Sequence, residues 1–242
     1  MVVNPIESGW EIIYHRAHAL LAAQVAARWN DRDSPVHLVE TIAALSHHDD
    51  LECEWEGSHR SSAGAPLDFT LSEGGPDVAS MAKHVNDSRY RGRWVAMLIS
   101  LHMSFLSEPS RGSDPTLDAF LDAQREQQRM WRKALGVSKQ QAAQAYSFMQ
   151  WCDRMSLILC KHELPSRERA LEVSVGPDGR RHDVFQRDDG TLCVEPWPFD
   201  RDVFSVSVEA CYLDQMAYDS DEALVEALQT APIKLLEWHF SK

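Results

Sequence analysis

Four stretches of this sequence have the spacing of amphipathic helices, and each has an ionisable side chain within its apolar face. Positions i, i+3, i+4 and i+7 of a helix share a face. On that basis four ionisable residues lie among apolar ones: His18, Asp49, His102 and Asp153. An ionised carboxylate buried without a partner is strongly destabilising, so it must be paired, neutralised or bound to a metal. The helices are therefore predicted to bring these side chains together, either as a metal centre or as a buried polar network.

One of these residues belongs to the string LSHHDDLECEW at residues 45–55, which places two histidines and two aspartates at the end of an apolar helix. A solvated loop would tolerate the same residues, so the string alone does not decide between a surface loop and a metal site. Histidine nitrogens and aspartate oxygens together form a donor set that suits a divalent cation. The string is therefore a candidate part of the centre.

Charge restricts the partners of the chain. Its 242 residues suffice for one large domain or for a main domain with an appendage. There are 37 acidic against 24 basic residues, which gives a formal net charge of −13. An acidic surface repels phosphate backbones, so we expect a small-molecule substrate and no nucleic-acid partner. An anionic substrate would need a compensating cation in its site.

The cysteines and the lack of targeting signals indicate the compartment. The opening MVVNPIESGWEIIYH has no basic segment followed by an apolar run, and nothing in the sequence approaches about 18 uninterrupted apolar residues. The five cysteines are odd in number and include no CxxC pair, which suits reduced thiols. We expect a cytoplasmic protein without a membrane partner, and the oligomeric state stays open.

The order of the elements predicts an α+β fold. A short strand at 9–14 comes first, and a loop at 52–77 separates the early helices from the later ones. Helices are predicted at about 15–29, 36–48, 78–90, 92–107, 116–135 and 138–163. After Pro165, short β-prone runs alternate with glycine-containing turns, as in antiparallel hairpins. We therefore predict a mainly α-helical body with an all-helical core at 1–165, and a small antiparallel β-rich subdomain with one short helix at 166–242.

The string PWPF, at Pro196 to Phe199, combines two prolines that fix the backbone φ angle with two large rings. A structural corner that joins two strands is the favoured interpretation. In the alternative, the rings close over a cleft or stack on a base.

The order of the candidate residues resembles a known superfamily. A histidine on an early helix, a His-Asp pair ending the next helix and an aspartate on a late helix form a His…His-Asp…Asp pattern. This pattern resembles the HD-domain metal-dependent phosphohydrolases. The resemblance implies an HD-domain-like helical body and four metal ligands: His18, His48, Asp49 and Asp153. The donor set does not distinguish Mn, Fe, Zn, Ni, Co or Mg.

A closer resemblance covers nearly the whole chain. The strings that carry it are GWEIIYHRAHALLAAQVAARW, HHDDLECEW, VAMLISLHMSFL, QWCDRMSLILC and VEPWPF. They are similar to an uncharacterised bacterial family, domain of unknown function 3891, which we take to be a relative of the HD domains. This similarity implies a fold and metal ligation more directly than it implies a reaction.

The HD resemblance implies a phosphohydrolase. A metal-activated water would attack phosphorus in a small phosphorylated substrate, such as a nucleotide. Asp49 or Asp50 would accept the proton of that water. His102 is the third catalytic candidate, either as a contact to the leaving group or as a ligand of a second metal; the alternative is a core histidine.

Two other functions remain open from the sequence. A di-iron oxygenase of the HD type needs additional histidine ligands, for which His84 and His102 are the helical candidates. The other hypothesis is a non-catalytic module that holds a metal for ligand binding or for stability.

Overall fold

The computed structural model describes residues 1–30, 32–71 and 77–242. Within these residues, seven α-helices accompany one curled sheet of seven strands. The strands are β1 (Val2–Ile6), β2 (Gly9–Ile13), β3 (Leu171–Val175), β4 (Arg181–Gln186), β5 (Leu192–Glu195), β6 (Val203–Leu213) and β7 (Ile233–Ser241). The helices are α1 (His15–Ala26), α2 (Leu38–Leu45), α3 (Val78–Ser88), α4 (Arg93–Ser107), α5 (Pro115–Leu135), α6 (Lys139–Cys160) and α7 (Asp221–Thr230).

The sheet joins the two ends of the chain. Its strand order is β1-β2-β6-β7-β5-β4-β3. The early strand β2 pairs with β6 in antiparallel register, with Trp10 opposite Leu213. The long β6–β7 ladder is also antiparallel, whereas β5 meets β7 in parallel at Leu192 and Phe240. The sheet is therefore an arrangement of strands from both ends of the chain rather than a C-terminal addition.

The predicted fold class is wrong in its proportions. The chain has a mixed α/β architecture with a large sheet, not a mainly α-helical body with a small antiparallel β-rich subdomain. Local patterns reveal individual hairpins, but they do not show that distant strands complete the same sheet. The division near residue 165 stays a prediction.

The expected all-helical core is also wrong. The largest apolar cluster contains fully buried side chains from strands, such as Ile13, Val184 and Phe240, together with Trp151 of α6. Helix α1 packs against both α6 and β6, so one face of the sheet is covered by helices. Because a sheet and a helix each bury one apolar face, they stabilise each other in a shared core.

Of the helices that the structure describes, none is both long and apolar enough to cross a membrane.

The loop predicted at 52–77 has some structure of its own. It contains a short 3-10 helix, Phe69–Leu71, and an isolated bridge between Arg60 and Pro66. The carboxylate of Asp68 accepts a hydrogen bond from the backbone N–H of Val3 at 2.9 Å, which ties the loop to β1. The part of the loop prediction at residues 72–76 lies outside the described residues.

The PWPF segment lies between β5 and β6. The ring of Phe199 is buried, with its centroid 4.7 Å from that of Phe204 and 5.0 Å from that of Trp197. The indole N–H of Trp197 donates to the carbonyl of Arg201 at 3.0 Å. These contacts favour the structural corner.

Replacing Ser138 by alanine is expected to lower the free energy of unfolding by about 1 kcal/mol. Ser138 Oγ accepts from the Gln141 N–H at 3.1 Å, and Gln141 Oε1 accepts from the Ser138 N–H at 2.9 Å. This capping box satisfies donors at the start of α6. Urea denaturation measures the change. Gln144→Ala, at an exposed position of α6, is the control and should change stability by less than about 0.5 kcal/mol; equal losses would contradict the assignment.

Candidate metal centre

The candidate residues come from helix α6 and from three segments that pack around it. His18 lies in the first turn of α1, His102 in α4 and Asp153 in α6, while His48 and Asp49 lie in the turns that follow α2. Helices α1, α2 and α4 all contact α6. The apolar faces of these helices form the core, so the polar side chains on those faces are directed toward one another.

The structure brings the four predicted ligands into one cluster. His18 Nε2 contacts Asp49 Oδ2, and His48 Nε2 lies 3.2 Å from Asp153 Oδ1. His48 Nε2 is also 3.6 Å from Asp49 Oδ2, and His18 Nδ1 is 3.8 Å from Asp153 Oδ1. The predicted proximity is therefore present, while the role of these residues as metal ligands stays a prediction.

The ligand atoms form two overlapping groups of three rather than one group of four. One group is His18, His48 and Asp49, and the other is His48, His102 and Asp153; within each, the ligand atoms lie within 4.8 Å of one another. His102, whose role the sequence left open, thus belongs to the cluster. Both groups depend on His48, and a single imidazole nitrogen coordinates one ion. The arrangement therefore fits one cation better than two.

Hydrogen bonds behind the cluster set the orientation of two imidazole rings. His48 Nδ1 is 2.6 Å from the carbonyl oxygen of Leu45, so Nδ1 carries the hydrogen and Nε2 faces the carboxylates. His18 Nδ1 is 3.0 Å from Ser156 Oγ, whose hydroxyl donates to the carbonyl of Asp153 at 2.8 Å. Because the Ser156 hydroxyl already donates its hydrogen to that carbonyl, His18 Nδ1 carries a hydrogen and donates it to Ser156 Oγ. Such outer partners fix the tautomer of metal-binding histidines.

Charge is concentrated in this buried cluster. Burial lowers the pKa of His48, but the charges of Asp49 and Asp153 outweigh it and raise the pKa to about 10. Burial is the largest effect on the pKa of Asp49 and of Asp153 and raises both, but the charges and hydrogen bonds of His48 and His18 together outweigh it and lower both pKa values. Without a metal, a protonated imidazole therefore lies between two carboxylates. A divalent cation suits the same position, because two carboxylates and neutral imidazoles are the ligands it requires.

His102 differs from its neighbours in charge. Burial and the positive charge of His48 lower its pKa to about 4. It is therefore neutral at pH 7 and has a nitrogen lone pair. Its Nδ1 lies 3.4 Å from the hydroxyl of Tyr146, which is seven residues before Asp153 on the same apolar stripe of α6.

The cluster is open on its carboxylate side. The side chains of Asp49 and Asp153 are 21% and 19% exposed, whereas those of His18 and His48 are each 1% exposed. The imidazoles thus face the core, and the carboxylates face solvent. Solvent therefore reaches the cluster on the side of Asp49 and Asp153.

Asp50 and His84 lie beside the cluster rather than within it. Asp50 Oδ2 is 2.7 Å from His47 Nδ1, and Asp50 Oδ1 is 3.7 Å from Arg16 Nε. His84 is buried in α3, and burial lowers its pKa. Among the described residues, neither contributes to the two groups of ligand atoms. The predicted catalytic role of Asp50 therefore requires this residue to act from beside the centre and not as a metal ligand.

Sequence reasoning missed the supporting residues. Ser156 orients His18, and its spacing of three residues from Asp153 on α6 was an available signal. Glu54 accepts hydrogen bonds from the backbone N–H of His15 at 2.7 Å and lies 3.1 Å from its ring Nδ1. The contact between Glu54 and His15 connects the segment after Asp50 to the start of α1. It had no periodic signal, because Glu54 lies in a loop.

The fold and the cluster define a mixed α/β protein with a histidine and aspartate centre at the junction of its helices. Residues 1–215 match the family described as Protein of unknown function (DUF3891), and the chain belongs to this family. No curated protein and no solved structure matches the chain. The comparisons thus support the uncharacterised family and give no support to a relationship with HD domains.

Proposed function

We propose that this protein is a metal-dependent hydrolase of a small phosphorylated substrate. One observation carries the proposal. His18, His48, His102, Asp49 and Asp153 converge with buried imidazoles and partly exposed carboxylates. The order of these residues is the basis for proposing a distant relationship to HD phosphohydrolases and a phosphoryl group as the reacting centre. A cytoplasmic location is part of the proposal.

The chain's own residues would share the work as follows. His18 and His48 would hold a divalent cation through Nε2, and Ser156 and the Leu45 carbonyl keep their rings in place. Asp49 and Asp153 supply anionic oxygens on the open side. When bound, a divalent cation makes a coordinated water more acidic and offsets charge on a phosphoryl oxygen.

Proton transfer is assigned to Asp50, at the edge of the centre, and His102 is assigned to its buried side. Asp50 follows Asp49, its side chain is 28% exposed, and it contacts His47. It can therefore accept a proton from water and release it to solvent. His102 is neutral at pH 7 and serves as a further nitrogen ligand on the buried side.

The oxygenase alternative is less well supported. A di-iron centre has two ions about 3.5–4 Å apart, and one imidazole nitrogen cannot ligate both of them. Here both groups of ligand atoms use His48. A single-ion hydrolase is therefore the better match to the donor set.

Phosphomonoester hydrolysis tests the proposal. The purified protein is assayed with p-nitrophenyl phosphate and small alkyl phosphates after addition of Mn, Fe, Zn, Ni, Co or Mg. Turnover is expected with at least one metal, and Asp49→Asn should lower it by more than about 100-fold, because loss of outer-shell partners alone costs about 10–100-fold.

Asp122→Asn is the matched control, since the Asp122 side chain is 67% exposed and lies on α5. Circular dichroism establishes that both variants remain folded. Metal binding without turnover under any of these conditions would contradict the hydrolase and favour a non-catalytic metal-containing module.

A further inference from the structure

A cavity of about 310 Å³ lies between the start of α1 and the segment after Asp50. Tyr14 and Trp55 form two of its walls, with ring centroids 6.2 Å apart and planes at 87°. The indole N–H of Trp55 donates to the Tyr14 hydroxyl at 3.1 Å, and that hydroxyl donates to the Leu228 carbonyl at 3.3 Å. The two rings are thus held at a right angle, although Trp55 is 54% exposed. Aromatic corners of this kind bind organic ammonium groups through cation–π attraction.

The charges around the cavity favour a cation. Glu52, Glu54 and Glu56 all line it. Glu54 is hydrogen-bonded to His15. Neither Glu52 nor Glu56 forms an ion pair with a basic side chain in the described part of the chain. The basic residue of the lining is Arg16, whose guanidinium already donates to the Asp50 carbonyl at 2.8 Å and contacts Cys53 Sγ at 3.2 Å. An anionic ligand in this cavity would be repelled by the carboxylates of these glutamates.

The cavity borders the candidate metal centre. Arg16 joins its wall to Asp50, the residue after the predicted ligand Asp49. Glu54 joins another wall to His15, whose ring centroid is 6.1 Å from that of His18. The cavity and the candidate centre are therefore neighbours, connected through Arg16 and through Glu54 and His15.

We propose that this cavity binds the ammonium group of the substrate, which is accordingly a phosphate ester of an amino alcohol. The phosphoryl half of this inference rests on the proposed function, whereas the ammonium half rests on the cavity. An ammonium group on the substrate also reduces long-range repulsion, because a chain with a net charge of −13 repels purely anionic esters more strongly. In the reaction, a water oxygen bonds to phosphorus, the phosphorus–oxygen bond to the alcohol breaks, and a proton from water passes to the alcohol oxygen. The products are inorganic phosphate and the free amino alcohol.

Binding of choline tests the cavity independently of hydrolysis. Isothermal titration of the full chain compares choline with 3,3-dimethylbutanol, which has the same shape without the charge. Choline should bind saturably and about 10-fold more tightly than the neutral alcohol, and Trp55→Ala should weaken it by about 10-fold. Tyr90→Ala is the control, because Tyr90 is 91% exposed on the surface and does not line this cavity.

Glu56→Gln provides a second variant that retains both aromatic walls, and it should reduce the preference for choline. Absent saturable binding, equal affinity for the two alcohols, or unchanged binding in Trp55→Ala with native circular dichroism would each overturn the cavity assignment.

Hydrolysis of phosphocholine and of 3,3-dimethylbutyl phosphate then separates the two proposals. A kcat/KM about 10-fold higher for phosphocholine, lost through KM in Trp55→Ala, supports the substrate class. Equal hydrolysis of both esters, with both abolished in Asp49→Asn, overturns the ammonium site and leaves the hydrolase standing. Choline binding without hydrolysis of either ester overturns the hydrolase and retains the ammonium site.

Discussion

Replacement of His48 by alanine is expected to weaken divalent-cation binding by more than about 100-fold, which exceeds the usual cost of losing an outer-shell partner. His48 Nε2 is shared by both groups of ligand atoms, so its removal leaves two ligands in each group. Titration of Zn²⁺ or Mn²⁺ into metal-free protein, in competition with a chromogenic chelator, measures the affinity.

Two further variants make this result specific. Ser156→Ala removes the hydroxyl beside His18 Nδ1 while retaining every ligand, and it should weaken binding by about 10–100-fold. His239→Ala removes a histidine whose side chain is 61% exposed on β7 and should leave the affinity unchanged. If His48→Ala bound the cation as tightly as His239→Ala does, the assignment of the centre would be wrong.

The helices, and the apolar faces that carry His18 and Asp153, could be predicted from the sequence because helical periodicity is local, whereas His48 and Asp49 lie in turns beyond the end of α2. A side chain at position 18 or 153 is assigned to an apolar face by neighbours within two turns. The cost of burying an unpaired carboxylate then requires such side chains to meet. Both steps use short-range information and general energetics, so neither needs knowledge of the chain's path.

The sheet could not be predicted in the same way. Trp10 pairs with Leu213, and no local pattern specifies a partner at that distance along the chain. Strand β1 was missed for a different reason, since Pro5 interrupts its β-prone run. Proline is tolerated because β1 is an edge strand, where one side of the backbone has no partner strand to bond.

The immediate surroundings of the ligands were equally unpredictable. Asp50 follows Asp49 directly, yet its carboxylate faces His47 and Arg16. That direction depends on the irregular turns after α2, where neither a period of 3.6 nor a period of 2 applies. Loop residues such as Glu54 acquire their partners only when the whole fold is in place.

Alkaline pH is expected to destabilise the metal-free protein through His48. The folded-state pKa of His48 is raised from 6.5 to about 10, so its stabilising effect is complete below about pH 6.5 and is lost as the pH rises through about 10. The pKa values of Asp49 and Asp153 are lowered from 3.8, so their effect is present above about pH 3.8 and is lost as the pH falls through the lower folded values. Urea unfolding of the wild type and of His48→Gln across pH 5 to 10 measures the contribution of the histidine, because titrating groups that do not interact with His48 cancel in the difference.

Metal binding should have the opposite pH dependence, because a cation and a proton compete for His48 Nε2. The affinity should rise with pH up to about 10, by up to tenfold per pH unit, and each bound cation should release about one proton at pH 7 to 8. Calorimetry in two buffers of different ionisation enthalpy counts that proton. A pH-independent affinity, with no proton released, would mean that the cation binds away from His48. The same cation should abolish the alkaline loss of stability, since the bound ion replaces the proton between the two carboxylates and stabilises the folded state in proportion to its affinity.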